Sequence, residues 1–377
     1  MSNAAEPAVN TPPTAESAPP DLQVTWSDPA RQKAFDGWLA ETGRLHGLRS
    51  DTVRLACADA SFRRYLRVDH SSGSHVIMDA PPDKENSEPF VRIAALMASA
   101  GLRVPQVLAW DGANGFLLLT DLGRQTMMQA IKPDDAQANL PLYLQAVDAL
   151  ILWQLASRPG VLPPYDGALL GRELQLFPQW YIERHRGVVP DDAMRQKLES
   201  AFAQIVRENL SWPSVFVHRD FMPRNLMVCL PAGPNGAQSD ARLGVLDFQD
   251  AVSGPITYDI ASLMRDAFLS WDEDFVLDVT IRYWERARAA GLAVGSDFGA
   301  FYRGVEWMGL QRHLKVAGIF ARLTLRDGKP QYLADTPRFI RYIRATACRY
   351  RELKPLLRIV DTLEGIQDQS AFVFGRV

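Results

Sequence analysis

The sequence lacks the features that mark several large classes of protein. It has three cysteines, Cys57, Cys229 and Cys348, an odd number at wide spacing that indicates neither a disulfide framework nor a Cys/His zinc site. No apolar run reaches the roughly 18–20 residues that a membrane helix needs. Lys plus Arg (41) nearly balances Asp plus Glu (44), giving a net charge of −3. No global positive field therefore favours nucleic acid or an anionic membrane.

The composition is that of an ordinary globular protein. Of 377 residues, 47% are hydrophobic and 23% charged, which argues against a disordered chain, a collagen or a coiled coil. At about 150 residues per domain, the length suggests two to three domains. Residues 1–25 are rich in Ala, Pro, Glu, Ser and Thr and are predicted to be a disordered tail. They lack the basic and apolar segments of a signal peptide. The few, widely spaced cysteines lead us to expect a protein of the reducing cytoplasm.

Residues 26–121 form a first predicted domain that is rich in strands. A helix is expected from an N-cap at Ser27 to a stop at Gly43. Short strand-like stretches separated by polar turns follow it, together with one more helix. The predicted strands are Thr52–Cys57, Phe62–Val68, His75–Met78, Val104–Trp110 and Phe116–Thr120, and the helix runs from Ser87 to Gly101.

Residues 122–377 form a second predicted domain that is mostly helical, because apolar residues recur there with a 3.6-residue period. Two short apolar segments, Val215–His218 and Arg242–Asp247, interrupt this pattern, and Leu230–Ala241 has the composition of an exposed loop. The fold class is therefore α+β, with a small antiparallel sheet domain before a larger helical one.

The strongest chemical signal lies at the ends of these two apolar segments. His218 and Asp220 precede Asn225 in a His-x-Asp-x4-Asn frame, and Asp247 closes the second segment. Phosphoryl transfer needs acidic and amide side chains of this kind. Mg²⁺ takes hard oxygen ligands from one or two side chains, which Asn225 and Asp247 offer, and Asp220 can accept the proton of a hydroxyl acceptor. We expect His218 to brace the loop by hydrogen bonds.

These motifs resemble those of the aminoglycoside phosphotransferase and choline kinase family, a branch of the bilobal protein-kinase-like fold, over residues 26–350. More narrowly, residues 59–65, 78–82, 218–227, 247–251 and 254–266 resemble the bacterial cell-wall amino-sugar kinases. That resemblance implies an ATP-dependent kinase acting on the anomeric hydroxyl of N-acetylmuramate or N-acetylglucosamine, in peptidoglycan recycling.

The resemblance also implies a role for individual residues. Asp220 would be the catalytic base, Asn225 and Asp247 would hold Mg²⁺, and Asp259 would brace the catalytic loop. The nucleotide would contact a turn between strands, an adjacent arginine and an interlobe hinge, namely Ala58, Asp59, Ala60, Ser61, Phe62, Arg64, Thr120, Asp121 and Leu122. Candidates for the acceptor pocket, where an indole can cover a sugar and Arg can meet a carboxylate, are Asp250, Trp271, Trp307, Arg312 and His313.

Two features depart from the pattern of this fold. The turn at 58–62 has no Gly-x-Gly-x-x-Gly, and the third strand has Met78 or Asp79 where a Lys should neutralise the nucleotide phosphates. Arg64, Arg67 or Lys84 could supply that charge, and we favour one of the two arginines because they lie on the adjacent strand. The cell-wall sugar kinases share the Met-Asp-Ala-Pro-Pro pattern of residues 78–82.

Two other functions remain open from the sequence. The acids Asp272, Glu273 and Asp274 could receive a polycationic aminoglycoside antibiotic. The missing strand Lys would suit a pseudokinase that binds nucleotide and regulates a partner, although the intact Asp…Asn…Asp frame argues for an enzyme. We expect a monomer that binds ATP, Mg²⁺ and an amino sugar, with no nucleic-acid or membrane partner.

Overall fold

The structure, a computed structural model, describes residues 24–58, 62–229 and 242–366. The predicted tail lies almost wholly outside the described residues, as do Asp59, Ala60 and Ser61 and the predicted loop Leu230–Ala241. The chain divides into two compact units. One contains the described residues up to Arg92 with Pro105–Leu122, and the other contains Ile93–Val104 with the described residues from Gly123 onward.

The sheet-bearing part of the chain is built from two helices and five strands. They are α1 (Pro29–His46), β1 (Arg49–Ala58), β2 (Arg64–His70), β3 (Gly73–Asp79), α2 (Glu88–Ser99), β4 (Val107–Asp111) and β5 (Phe116–Thr120). The strands form one antiparallel sheet in the order β1-β2-β3-β5-β4. The predicted antiparallel five-stranded sheet is thus confirmed.

Helix α1 packs on one face of this sheet and is longer than predicted. Its N-cap is Asp28, whose side chain accepts a hydrogen bond from Ala30 N, and its C-cap is Gly47 at φ 64°. The predicted cap Ser27 and the predicted stop at Gly43 were therefore wrong. Gly47 ends the helix because glycine adopts a left-handed conformation without steric cost, whereas Gly43 is a buried helical residue.

The segment Ile93–Val104 belongs to the second unit, whereas the sequence placed it in the first domain. Its end is tied to a strand of the second unit, since Val245 N donates to Arg103 O at 2.8 Å. Arg242 also donates to the Gly101 carbonyl. These contacts are distant in sequence, so the local pattern could not indicate them.

The second unit is mostly helical, as predicted. Its helices are α3 (Met127–Ala130), α4 (Ala136–Leu155), α5 (Gly167–Leu174), α6 (Asp192–Leu210), α7 (Tyr258–Met264), α8 (Glu273–Ala289), α9 (Phe298–Leu325), α10 (Thr336–Arg349) and α11 (Lys354–Glu364). A π-helical segment spans Phe177–His185, and 3₁₀ turns span Pro223–Asn225, Pro330–Asp335 and Arg351–Leu353. Two strand pairs interrupt the helices, β6 (Ser214–Val217) with β9 (Val252–Pro255) and β7 (Leu226–Met227) with β8 (Gly244–Val245).

The core of the second unit is organised around α9, most of whose residues from Phe301 to Ala321 are buried. One apolar cluster joins it to the π-helical segment, α6, α10 and α11. Among the described residues, no helix is both long enough and apolar enough to cross a membrane.

A close backbone contact makes Gly318 on α9 a sensitive position. A Cβ added there would lie 2.4 Å from the carbonyl carbon and oxygen of Leu176, so we expect Gly318→Ala to destabilise the protein by about 1–3 kcal/mol. Thermal unfolding would show this as a lower Tm. The matched control is Gly171→Ala on α5, where an added Cβ meets nothing within 4 Å, and there the Tm should stay level or rise. Equal Tm values for the two variants would contradict the predicted clash.

Candidate active site

Two strand pairs in the second unit position the predicted catalytic residues. Strand β6 leads into the loop His218–Asp220, and the 3₁₀ turn that ends at Asn225 leads into β7. Asp247 follows β8, and Leu246 N donates to Asn225 O at 2.9 Å. Because β7 and β8 are paired, the residues at their ends come together although they are far apart in sequence.

Asp220, Asn225 and Asp247 lie close to one another and are half-buried. The Asn225 amide Nδ2 donates to the Asp220 main-chain oxygen at 2.9 Å and lies 3.4 Å from Asp247 Oδ2. Since Nδ2 is engaged with the loop, Oδ1 is the atom that a cation would take. Among the described residues there is no group of three or more His, Cys, Asp and Glu side chains that could hold a metal on its own.

Backbone strain is concentrated at this site. Among the described residues, Arg219 (φ 78°) and Asp247 (φ 62°) are the only non-glycine residues with positive φ. A non-glycine residue in the left-handed region costs on the order of 1–3 kcal/mol and persists only where the surroundings hold it there. Strain of this kind is typical of functional loops.

Asp259 holds the strained loop through its main-chain N–H groups. Its carboxylate accepts hydrogen bonds from His218 N at 2.7 Å and from Arg219 N at 3.0 Å. Burial raises the pKa of Asp259 to about 6, although the two backbone hydrogen bonds and the charge of Arg312 oppose this. Because the pKa lies above the ordinary 3.8, the cost to stability is full above pH 6 and fades toward pH 3.8.

His218 connects the two halves of the site. Its Nε2 lies 2.9 Å from the Leu246 carbonyl, and its Nδ1 lies 3.3 Å from Asp220 N. Both contacts fit a neutral ring that carries its proton on Nε2, so that Nδ1 accepts from the Asp220 N–H. His218 is 1% exposed, and these contacts describe a bracing residue.

A buried polar network that the sequence did not predict lies behind the loop. Glu173 on α5 accepts hydrogen bonds from Arg219 at 2.7 Å and Lys315 at 3.0 Å, and also from Tyr165 and Gln311. Burial alone would raise the pKa of Glu173, but Lys315, Tyr165 and Arg219 lower it to about 2.

A sequence signal for this network existed. Leu170, Glu173, Leu174 and Phe177 are all buried at the spacing of one helical face. An acid on an otherwise apolar face indicates a buried partner. The sequence does not indicate which cation that partner is.

Three of the predicted acceptor residues lie in the interior. Trp307 is fully buried in the apolar cluster, so its ring does not offer a face to a sugar. His313 stacks on Tyr342 at 4.6 Å and its Nε2 contacts the Arg265 carbonyl, while burial lowers its pKa to about 3. Arg312 is buried and donates to the Arg219 carbonyl at 2.6 Å.

The other two predicted acceptor residues are accessible. Trp271 is half-buried, and its indole Nε1 donates to Tyr143 OH at 2.6 Å. Asp250 is exposed; it does not cap the following helix, whose N-cap is Thr257. Arg224, in the 3₁₀ turn that ends at Asn225, is also exposed, and its guanidinium lies 4.6 Å from the ring centroid of Phe268.

In the first unit, the two arginines proposed for the phosphates lie on opposite faces of the sheet, because strand side chains alternate. Arg64 shares its face with Leu66 and Val68, which pack under α1. Its guanidinium binds Asp79, which also binds Arg31 on α1. Asp79 thus joins α1 to the sheet at the position where a Lys was expected.

Arg67 lies on the other face and binds Asp121 through Nε at 2.6 Å. Ser74 donates to the same carboxylate at 2.7 Å. The side chain of Asp121 is therefore held within the sheet unit. Asp121 directly precedes Leu122, the last residue of that unit. Lys84 is half-exposed, with its Nζ 6.0 Å from the exposed ring of Phe62.

An antiparallel sheet followed by a helical unit, with candidate residues Asp220, Asn225 and Asp247 near the ends of paired strands, fits a phosphotransferase of the kinase-like fold. A choline/ethanolamine kinase family protein from Mesorhizobium loti has this fold, with a TM-score of 0.56 at 16% identity over 88% of this chain and 99% of that chain. The chain belongs to the phosphotransferase enzyme family, which it matches over residues 52–293. The predicted family and fold are thus confirmed.

Curated relatives cover most of the chain. It is 49% identical to the N-acetylmuramate/N-acetylglucosamine kinase of Pseudomonas aeruginosa over 82% of this chain and 87% of that protein. It is 45% identical to the enzyme of the same name from Neisseria meningitidis serogroup B over 91% of this chain and 99% of that protein.

Proposed function

We propose that this protein is an ATP-dependent kinase that phosphorylates the anomeric hydroxyl of N-acetylmuramate, N-acetylglucosamine or both. The product would be a sugar 1-phosphate that feeds peptidoglycan recycling in the cytoplasm. The observation that carries the proposal is the convergence of Asp220, Asn225 and Asp247 at the ends of β7 and β8 and their preceding loop. The 45–49% identity to kinases of that name supplies the substrate class.

The proposed catalytic base is Asp220. An anomeric hydroxyl is a hemiacetal and is more acidic than an ordinary alcohol, so a carboxylate is an adequate proton acceptor for it. Positioning of the two substrates and neutralisation of phosphate charge would then supply most of the rate. The bracing of the loop by Asp259 and His218 fits this demand for a fixed carboxylate.

The residues present fit a Mg²⁺ ion. Asn225 Oδ1 and the Asp247 carboxylate are hard oxygen ligands on neighbouring strand ends, and Mg²⁺ commonly takes one or two protein ligands beside phosphate and water oxygens. When bound, the ion would neutralise charge on the nucleotide phosphates. Asp247 would hold it in place, with its own orientation fixed by Gln249, whose Nε2 donates to Asp247 Oδ1 at 3.0 Å.

The proposed nucleotide contacts come from the first unit, and they include fewer residues than the sequence suggested. We omit Arg64 because its guanidinium is held by Asp79 on the face that α1 covers. Arg67 is omitted for the same reason, because its guanidinium binds the Asp121 carboxylate through two nitrogens. The half-exposed Lys84 remains for the phosphates, and the turn at 58–62 is kept as a predicted phosphate contact. The main chain of Thr120–Leu122 would offer hydrogen bonds to adenine.

For the acceptor we retain Trp271 and Asp250 and omit the three interior residues. An aminoglycoside is less well matched, because two of the three acids proposed to receive it, Asp272 and Glu273, are already engaged. Asp272 caps α8 through a hydrogen bond from Phe275 N. Glu273 binds Arg265 at 2.7 Å and Arg349 at 3.1 Å.

Phosphorus NMR tests the proposed reaction directly. Incubation with Mg·ATP and either N-acetylmuramate or N-acetylglucosamine should give ADP and a new sugar-phosphate signal coupled to the anomeric proton. Kanamycin, offered in parallel, should give no product. A product with kanamycin alone would replace the proposed function with antibiotic phosphorylation. Mg·ATP binding without turnover on any of the three would favour the pseudokinase.

A further inference from the structure

Arg219, the residue just before the proposed base, is held at three separate points. Its main-chain N–H donates to Asp259 Oδ1 at 3.0 Å, and its carbonyl accepts from Arg312 at 2.6 Å. Its guanidinium donates to Glu173 at 2.7 Å. These partners come from α7, α9 and α5, so three helices fix one residue.

The peptide bond between Arg219 and Asp220 has both of its polar groups engaged. Arg312 binds the carbonyl, and His218 Nδ1 lies 3.3 Å from the Asp220 N–H. A peptide bond is planar, so these two contacts set its orientation and the direction in which the Asp220 side chain leaves the backbone. Arg219 would otherwise relax from its left-handed conformation (φ 78°), because that region is unfavourable for a residue with a Cβ.

Arg312 is unusual for a buried cation, because its hydrogen bond goes to a main-chain carbonyl and not to a carboxylate. Burial of a charge is costly unless it is paired, yet among the described residues no carboxylate forms an ion pair with Arg312. Its contacts are the Arg219 carbonyl and the ring of Tyr258, 4.8 Å away. Burial lowers the pKa of Arg312, but Tyr258 and then the Asp220 carboxylate raise it above its ordinary value.

Glu173 holds the other end of Arg219 and is itself fixed. One carboxylate oxygen accepts from Arg219 and Lys315, and the other accepts from Tyr165 and Gln311. A carboxylate with this many donors has little freedom to move. The Arg219 side chain is therefore anchored to a fixed carboxylate and is only 21% exposed.

We propose that Arg312 is a positioning residue, which binds the carbonyl of the Arg219–Asp220 peptide and thereby aims the Asp220 carboxylate, while Glu173 anchors Arg219 from the opposite side. This inference rests on the proposed role of Asp220 as the base. It also gives Arg312 a different role from the one the sequence suggested, because the guanidinium acts beneath the loop and does not contact the sugar.

The first test separates kcat from KM in Arg312→Met. A reacting group displaced by about 1 Å can lower the rate on the order of 10²-fold, so we expect a loss of that order in kcat. The KM values for ATP and the amino sugar should stay within a few-fold of the wild type. A raised sugar KM with an unchanged kcat would instead make Arg312 a substrate ligand and overturn the proposal.

Arg312→Lys and Arg303→Met complete the set of single variants. Arg312→Lys keeps the positive charge and the methylene stem, so it should fold even where Arg312→Met is poorly stable. Its kcat should lie between that of the wild type and that of Arg312→Met. Arg303 is on the same helix but binds Glu208 and Glu352, so Arg303→Met should leave kcat unchanged. A kcat loss in Arg303→Met equal to that in Arg312→Met would mean that the effect is a general weakening of α9.

A double-mutant cycle with Asp220→Asn shows whether Arg312 acts through Asp220. Residues that act as a unit are not additive, so Arg312→Met should cause no further loss of kcat in the Asp220→Asn background. Full additivity would refute the positioning role. If Asp220→Asn alone keeps near-normal activity, the proposed base is wrong. If it is inactive while Arg312→Met is normal, only the present inference fails.

Discussion

Asp220→Asn is expected to lower kcat by about 10²–10⁴-fold, the usual contribution of a general base. The amide cannot accept the proton of the acceptor hydroxyl, although it occupies the same space as the carboxylate. The hydrogen bonds that Asp220 makes in the loop use its main-chain N–H and carbonyl. The substitution should therefore preserve the loop and leave the affinity for ATP close to that of the wild type.

Steady-state kinetics with N-acetylmuramate and N-acetylglucosamine would measure this loss, with nucleotide affinity measured separately by calorimetry. The matched control is Asp148→Asn, which makes the same chemical change at an exposed residue whose partner is Arg286. It should leave kcat unchanged. Activity of Asp220→Asn within a few-fold of the wild type would remove Asp220 from the role of base, whatever the preferred sugar proves to be.

The fold was predictable because its signals are local. Strands of the sheet unit are joined by short turns, as in β2 and β3, so a polar break between two apolar stretches is sufficient to predict each hairpin. The long helices likewise carry their period in a single stretch of chain. The end of α1 was misjudged because a glycine can lie inside a helix, and the sequence does not show which of Gly43 and Gly47 adopts positive φ.

That Asp220, Asn225 and Asp247 would lie close together could be expected for a different reason. Asp220 and Asn225 lie in one short motif, and Asp247 follows the strand that pairs with β7. The chemistry of phosphoryl transfer requires these residue types, so their order along the chain was informative. Their distances from one another come only from the structure, as does the left-handed backbone at Arg219 and Asp247.

The acceptor candidates were the least predictable part of the site. Trp307 and His313 occur at helical spacing, which fits a core position and a pocket equally well, and the structure shows that both are buried. The network around Glu173 was missed because its partners are remote in sequence. Lys315 and Arg219 lie 142 and 46 positions away, and no periodicity links a residue of α5 to either of them.

Asp247→Asn is expected to lower kcat/KM for ATP by about 10²-fold or more. A metal ion that neutralises phosphoryl charge is worth several kcal/mol, and each ~1.4 kcal/mol corresponds to a tenfold change in rate. Asn is the right substitution because it tolerates the left-handed backbone of Asp247 and can still accept the hydrogen bond from Gln249. The negative charge is lost, so a divalent cation should bind more weakly.

A readout that does not depend on turnover distinguishes weaker metal binding from a misplaced substrate. Mn²⁺ is a suitable paramagnetic probe, and its binding in the presence of ATP should weaken in Asp247→Asn. The Tm should stay near the wild-type value, since the loop keeps its backbone contacts. Asp278→Asn, at a surface pair with Arg282, should change neither quantity. Unchanged Mn²⁺ affinity in Asp247→Asn would show that the divalent cation does not bind at Asp247. It would refute the proposed metal site at the ends of β7 and β8.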